Sequence, residues 1–487
     1  MNIKNNISQF SEWLRKEFNV KVNITTEDNT HYDEINISIN DDSFDLWLHR
    51  TSKNILPDDA ALRLVQKLAE LSLLEHVSKT DIDFDSTLLS YLNSMPKLEE
   101  LRLSKNLDTA DLKHYKNIQS IVMFVSAKSD IKLPKSINEA HFTFIGQDSV
   151  QTAYAKRLFN QGNFSLITLS FDDSQEFDLR NLNFEKAQYL TVFISSSTGI
   201  YFPNNQPSLK TVSIYGYIGA SHLTIDINLP NTLEEFVAFD CSFADPNLLA
   251  HCSSLKQLIL LDCNVTEVEI ENCLSQCAIE RLHIHKLALP EESINKWNLS
   301  KITNLVLNNC ILDNINFTSS LNTLKILEVD DSGITFLPEK LPNSLTQVSC
   351  RHNKVKNLPL EIPSELSFAN FDSCEIVNIP KNYLAKFSIK TTVTDSYRSQ
   401  HDLPNTISIA NNLVENPPLE ILTGSKENIQ SYINSMVGHT TLLNEAKVIF
   451  VGDGAVGKTS LMKRLVYDEF DAVESQTDGI EIETGLT

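Results

Sequence analysis

Residues 98–106 read Leu98-Glu99-Glu100-Leu101-Arg102-Leu103-Ser104-Lys105-Asn106. In an extended chain alternate side chains share a face, so Leu101 and Leu103 point one way and Arg102 and Ser104 the other. One strand of this size cannot bury its apolar side alone. The same apolar-x-x-apolar-x-apolar frame starts again at Ile118, Ile137, Phe164, Tyr189, Leu209, Leu233, Leu255, Ile279, Ile302, Leu324, Leu345 and Leu366. The starts lie 21 to 24 residues apart from Leu233 on, and 25 to 27 apart between Ile137 and Tyr189. Units of about this length stack so that neighbours share one continuous core.

The frame is that of a leucine-rich repeat. With Leu98 as position 1, positions 4 and 6 face inward, and position 9 turns inward to satisfy backbone groups of the adjacent loop, a task for Asn or Cys. Asn106, Cys241, Cys263, Cys310, Asn353 and Cys374 occupy position 9, which makes these cysteines core parts of a solenoid. Of the eight cysteines only Cys273 and Cys277 are close in sequence. With no second pair and no histidines at zinc spacing, they do not read as a metal site. Leu337-Pro338, Leu358-Pro359 and Ile379-Pro380 recur on the return path, where proline tolerates extended chain without a ladder partner.

Outward positions of the strands form the concave face, where such solenoids usually bind. The column after the third apolar position holds Phe124, Tyr215, Phe239 and Leu261, then His285, Asp330, Arg351 and Asp372. The neighbouring column holds Phe193, Val237, Ile259 and His283. The apolar members read either as a contact patch for a protein ligand or as ordinary scatter of exposed side chains. The acidic members read as solvated surface.

Length and composition bound the rest. The chain has 487 residues, 41% of them hydrophobic and 21% charged, a globular balance. A formal net charge of −22 argues against nucleic acid and anionic membranes as partners. The N-terminus shows no apolar signal region, and no run approaches the length of a membrane span. Free thiols fit a reducing compartment, so a cytoplasmic protein is expected.

Outside the repeats, Ile7, Phe10, Trp13, Leu14 and Phe18 share a helical face. Ile35-x-Ile37-x-Ile39 and Phe44-x-Leu46-x-Leu48 read as a hairpin, and Leu62 to Leu74 as a helix. A small α+β cap over the first repeat is expected here. After Asn416-Pro417-Pro418, a helix is expected from Ser425 or Lys426 to about Met436.

Near the C-terminus, Ala446-Lys447-Val448-Ile449-Phe450-Val451-Gly452-Asp453-Gly454-Ala455-Val456-Gly457-Lys458-Thr459-Ser460-Leu461 reads as a strand, G-x-x-x-x-G-K-T and a helix. This is a phosphate-binding loop in its required context. Residues Gly452, Asp453, Gly454, Ala455, Val456, Gly457, Lys458, Thr459 and Ser460 would wrap the phosphates with backbone N–H groups. Lys458 would reach the terminal phosphates, and the Thr459 hydroxyl Mg²⁺. Gly454-Ala455-Val456-Gly457-Lys458-Thr459 resembles the loop of small GTPases. Leu443-Asn444-Glu445-Ala446 and Ser475-Gln476-Thr477-Asp478-Gly479-Ile480 resemble the Roc domain of Roco proteins. The resemblance implies GTP/GDP with Mg²⁺, Phe470 packing on guanine, and Thr477 joining Thr459 at the metal. It further implies that the connector passes nucleotide-driven motion to the repeats. The D-x-x-G loop, the [NT]-K-x-D motif and the COR domain of the family do not follow this loop in the sequence, so a homodimer is expected only if a COR domain follows in a longer form. GTP hydrolysis is likewise implied only for a complete domain, and no catalytic residue is assigned.

The sequence thus predicts an α/β protein. An α+β cap (1–85) leads into a leucine-rich repeat horseshoe (86–415). A connector helix (416–440) and the beginning of a P-loop GTPase domain (441–487) follow. The main reading is a Roco-like signalling protein. The alternative is a repeat scaffold whose truncated nucleotide segment is non-functional.

Overall fold

The computed structural model describes residues 3–473 apart from 26–34, 40–42, 49–55, 58, 147, 148, 150, 151, 172–175, 195–198, 204, 205, 217–223, 246, 393–404, 436–449 and 454. Two compact units divide at Ile429/Gln430.

In the larger unit the repeats form a parallel sheet of 16 strands, one rung per repeat. The rungs include Glu100–Leu103, Ser120–Val125, Gln257–Leu261, Arg281–His285 and Asn304–Asn308. Positions 4 and 6 are buried throughout, from Leu101 and Leu103 at one end to Ala369 and Phe371 at the other, each at 1% exposure or less. The early repeats fill the space behind the sheet with phenylalanine. Phe144 stacks on Phe171 at 5.6 Å, and Phe171 meets Phe177 at 4.5 Å. Return segments form short ladders, such as Thr109–Asp111 with Asp130–Lys132. Elsewhere they form helices, including Ala153–Gln161 and Glu267–Leu274. The Glu267–Leu274 helix opens with a capping box between Thr266 and Glu269.

The N-terminal region packs helices Ile3–Phe18 and Ala60–Glu70 with a four-stranded sheet, in which Ile35–Ile39 and Phe44–Trp47 are antiparallel. Its last strand, Val77–Thr80, runs into Asp83–Phe84, the first rung of the long sheet. The chain thereby covers the first repeat with backbone pairing, so residues 77–84 serve both sheets.

The register corrects the sequence frame in four places. Tyr189 pairs with Leu166 and Thr211, which stand at position 3 of their repeats, so this repeat starts at Ala187 and Tyr189 is 44% exposed. A strand repeats every two residues, so Tyr189-x-x-Val192-x-Ile194 fits the frame as well as Ala187-x-x-Leu190-x-Val192 does. Second, Asn106 is exposed and Leu107 is buried in its stead. Third, a further repeat strand, Thr406–Ser408, pairs with Phe368–Asn370 and buries Ile407 and Ile409. It lies between Phe368–Asn370 and the earlier segment Ser388–Lys390, which takes the sheet edge. Fourth, Asp330 and Asp372 are 3% and 4% exposed, not solvated. Asp330 Oδ1 accepts from the Arg351 N–H at 2.8 Å and the Ser349 hydroxyl at 2.7 Å, and its Oδ2 binds the Arg351 guanidinium. Asp372 Oδ1 accepts from the Ala410 N–H at 2.8 Å. Both carboxylates brace the next rung where the backbone ladder has ended.

In the later repeats, position 9 does what the frame requires where Asn or Cys fills it. Asn353 Nδ2 donates to Val329 O and Arg351 O, while its Oδ1 accepts from the N–H groups of Ser332 and Ile334, at 2.8 to 3.2 Å. The Cys310 and Cys374 thiols donate to carbonyls of the preceding repeat, Ile284 O and Cys350 O. Burial pushes the Cys263 thiol up to about 12, so it stays a neutral donor.

Candidate functional site

In the smaller unit the described part of the loop is Val451–Asp453 and Ala455–Gly457, followed by helix Lys458–Tyr467. Ala455 and Gly457 both take left-handed backbone, at φ 64° and 83°. A Cβ on Gly457 would meet nothing within 4 Å, so glycine is there for its backbone and not for lack of room. These two residues curl the chain ahead of the helix. The first intrahelical bond runs from the Leu461 N–H to Gly457 O, and a helix leaves its first-turn amides outside that ladder, directed beyond its end. Lys458 Nζ reaches back over the loop and donates to Gly452 O at 2.9 Å and Asp453 O at 2.6 Å. A curled backbone, a helix start and one ammonium therefore converge on one point, a donor set suited to a polyphosphate.

Asp453, Val456, Thr459 and Ser460 lie on this same loop and first helical turn. Phe470, beyond the helix, is 69% exposed. Gly454 and Thr477 lie outside the described residues, as does most of the strand expected before the loop. Residues 447–487 match the family model described as Ras of Complex, Roc, domain of DAPkinase. The C-terminal segment is similar to a Roc domain over these residues. It follows a leucine-rich repeat solenoid, in keeping with the expected order of repeats and Roc.

No curated protein matches the chain. Among solved structures, the functional domain of InlJ from Listeria monocytogenes is similar at 15% identity, covering 68% of this chain and 77% of that one, with a TM-score of 0.37. The internalin InlF from the same organism gives 15%, 67%, 86% and 0.33. A chain of the octameric complex of Latrophilin 3, Unc5D and FLRT2 gives 13%, 48%, 90% and 0.30. The solenoid assignment rests on the strand pairing given above. Among the described residues no helix is long and apolar enough to cross a membrane.

On the outward face of the long sheet the corrected register joins what the sequence had split. Phe193, Tyr215, Phe239 and Leu261 are paired neighbours in one column, position 7. The rings of Phe193 and Tyr215 stack at 5.1 Å and 14°, and those of Tyr215 and Phe239 at 5.1 Å and 28°. Stacked side by side, the rings cover each other's faces and present their edges. Val237 and Ile259 lie beside them at position 5, and His285, next in the column, meets Asp262 at 3.2 Å.

Proposed function

We propose that the chain couples a leucine-rich recognition surface to a guanine-nucleotide switch, as a Roco-like protein of the cytoplasm. The loop carries this reading: left-handed Ala455 and Gly457 ahead of a helix whose first residue is Lys458. In this reading Gly452 to Ser460 surround the phosphates with backbone N–H groups, and Lys458 exchanges the loop carbonyls for terminal phosphate oxygens. Thr459 and Thr477 hold Mg²⁺ with their hydroxyls, and Phe470 lies along the base. When bound, GTP with Mg²⁺ supplies the γ-phosphate contacts on which such a switch depends. The stacked column on the concave face is the surface for a protein ligand, since exposed ring edges over adjacent repeats form a continuous contact strip. Titration with a fluorescent GTP analogue, with GTP and ATP as competitors, tests the assignment. Lys458→Ala should weaken binding by about tenfold or more, the value of hydrogen bonds to a charged group. Unchanged affinity in Lys458→Ala would remove the phosphate-loop role.

A further inference from the structure

The return side of the early repeats holds a cavity of about 1190 Å³. Its origin lies in the repeat that starts at Ile137, which places a helix, Ala153–Gln161, where the preceding repeats pair Thr109–Asp111 with Asp130–Lys132. The helix does not continue that ladder, and the space beside it opens. Ile131, Ile137, Leu158 and Phe164, all at most 7% exposed, give apolar walls. Gly162 lets the Phe164 ring lie against the backbone, for a Cβ there would stand 2.0 Å from a ring carbon.

The polar lining is unlike the rest of the chain. Among the described residues, Lys113, Lys116, Lys132, Lys135, Arg157 and Lys186 face the cavity against the single carboxylate of Asp130, a balance of five positive charges in a chain of net −22. Arg157 is paired with Asp130 at 2.6 Å, and Lys132 lies 3.6 Å from Asp111. Lys113, Lys116 and Lys135 make no ion pair among the described residues. Tyr154 also lines the cavity, at 6% exposure, and its hydroxyl oxygen is itself sealed from solvent, so the lysines supply the polar contacts there.

We infer that this cavity is a binding site for a compact soluble polyanion, an organic phosphate or polycarboxylate, held by the lysines. Charge distribution decides between compact and extended ligands. A ligand confined to the cavity meets only the cations, whereas a nucleic acid or an anionic membrane would extend over the acidic remainder and be repelled.

The test is calorimetric titration of the full chain with inositol hexakisphosphate, pyrophosphate and citrate. Single-stranded RNA and phosphatidylserine vesicles run beside them. Saturable binding of at least one small polyanion is expected, weakening as salt rises. Lys113→Gln/Lys116→Gln/Lys135→Gln should lose about tenfold or more in affinity, since hydrogen bonds to charged groups are lost. The same charge change at Lys301, Lys325 and Lys340 should leave affinity unchanged. Three results would each overturn the site: no saturable binding by any of the small polyanions, equal loss in the two triple variants, or tighter binding of RNA or vesicles.

Discussion

The repeats from Ile118 to Leu209 and those from Leu233 onward bury the same two columns but end their strands differently. In the early group position 8 stays in the strand: Val125, Phe144, Phe171, Ile194 and Gly216. In the later group Asp240, Asp262, Lys286, Asn309, Asp331, His352, Ser373 and Asn411 all turn left-handed there, at φ 50° to 60°. A left-handed residue other than glycine costs roughly 1 kcal/mol, least for Asn and Asp. What offsets it is position 9, which the turn swings inward onto the carbonyls of the preceding repeat. The early repeats instead spend position 8 on core volume, as Phe144 and Phe171 show. One sheet thus combines an aromatic half held by packing with a turned half held by buried polar brackets.

The largest effect that could break this contrast is at Asn353. Its alanine variant leaves Val329 O and the N–H groups of Ser332 and Ile334 short of partners, while Arg351 O keeps the Asp331 N–H. At about 1 kcal/mol or more per orphaned group, partly relieved by relaxation, the loss should be about 3 kcal/mol. Asn106→Ala, the same change at the exposed position 9 of the Leu98 repeat, whose strand ends at Leu103, should stay within about 0.5 kcal/mol. Urea unfolding of both variants measures the difference, and equal losses would abolish the distinction.

Much of this was legible in the sequence, and the misses have causes. Leu101 and Leu103 announce the repeat because a stacked core tolerates little else at positions 4 and 6. The G-x-x-x-x-G-K-T pattern is legible because loops of this kind fix their Gly, Lys and Thr by chemistry and not by packing. The switch at position 8 was also written in the chain, as Phe144 and Phe171 give way to Asp240 and Asp262, but leucine spacing alone does not look there. Tyr189 misled because a shift of two residues preserves alternation. Asp330 and Asp372 read as surface because their partners, Arg351 and Ala410, come from the next rung. The exchange of Thr406–Ser408 with Ser388–Lys390 at the sheet edge is set by non-local pairing, which no local pattern encodes. The Lys113 to Lys186 cavity needed four successive repeats to be brought side by side.

A smaller effect compares two histidines at position 5, His141 in the early group and His283 in the later one. Desolvation holds His283 down to about 4, with His285 adding to the shift. His141 is lowered by desolvation too, but Glu139 opposes the shift. An imidazole with a depressed pKa is neutral in the fold and takes up its proton more readily when unfolded. The fold is therefore at full stability above the unfolded value of about 6.5 and loses it as pH falls from there toward 4. The loss assigned to His283 should be about 2 kcal/mol after allowance for partial exposure. His283→Gln should flatten the stability profile over that window, and His141→Gln should flatten it less. Equal flattening would place both imidazoles in equivalent surroundings and remove the role given to Glu139.

The smallest effect concerns the stacked rings, and its smallness is the point. Phe193 is 45% exposed and meets Tyr215 on one face, so little core depends on it. Phe193→Ala should cost about 1 kcal/mol or less. The Phe193/Tyr215 double-mutant cycle should return a coupling of about 0.5 to 1 kcal/mol, the value of a stacked pair beyond its area. If the column serves a protein ligand, Tyr215→Ala and Phe239→Ala should abolish capture of that ligand while the melting temperature changes little. Loss of stability comparable to Asn353→Ala, with capture intact, would make the rings part of the core. The aromatic half would then be held on both sides of its sheet, and the recognition surface would have to lie elsewhere on the solenoid.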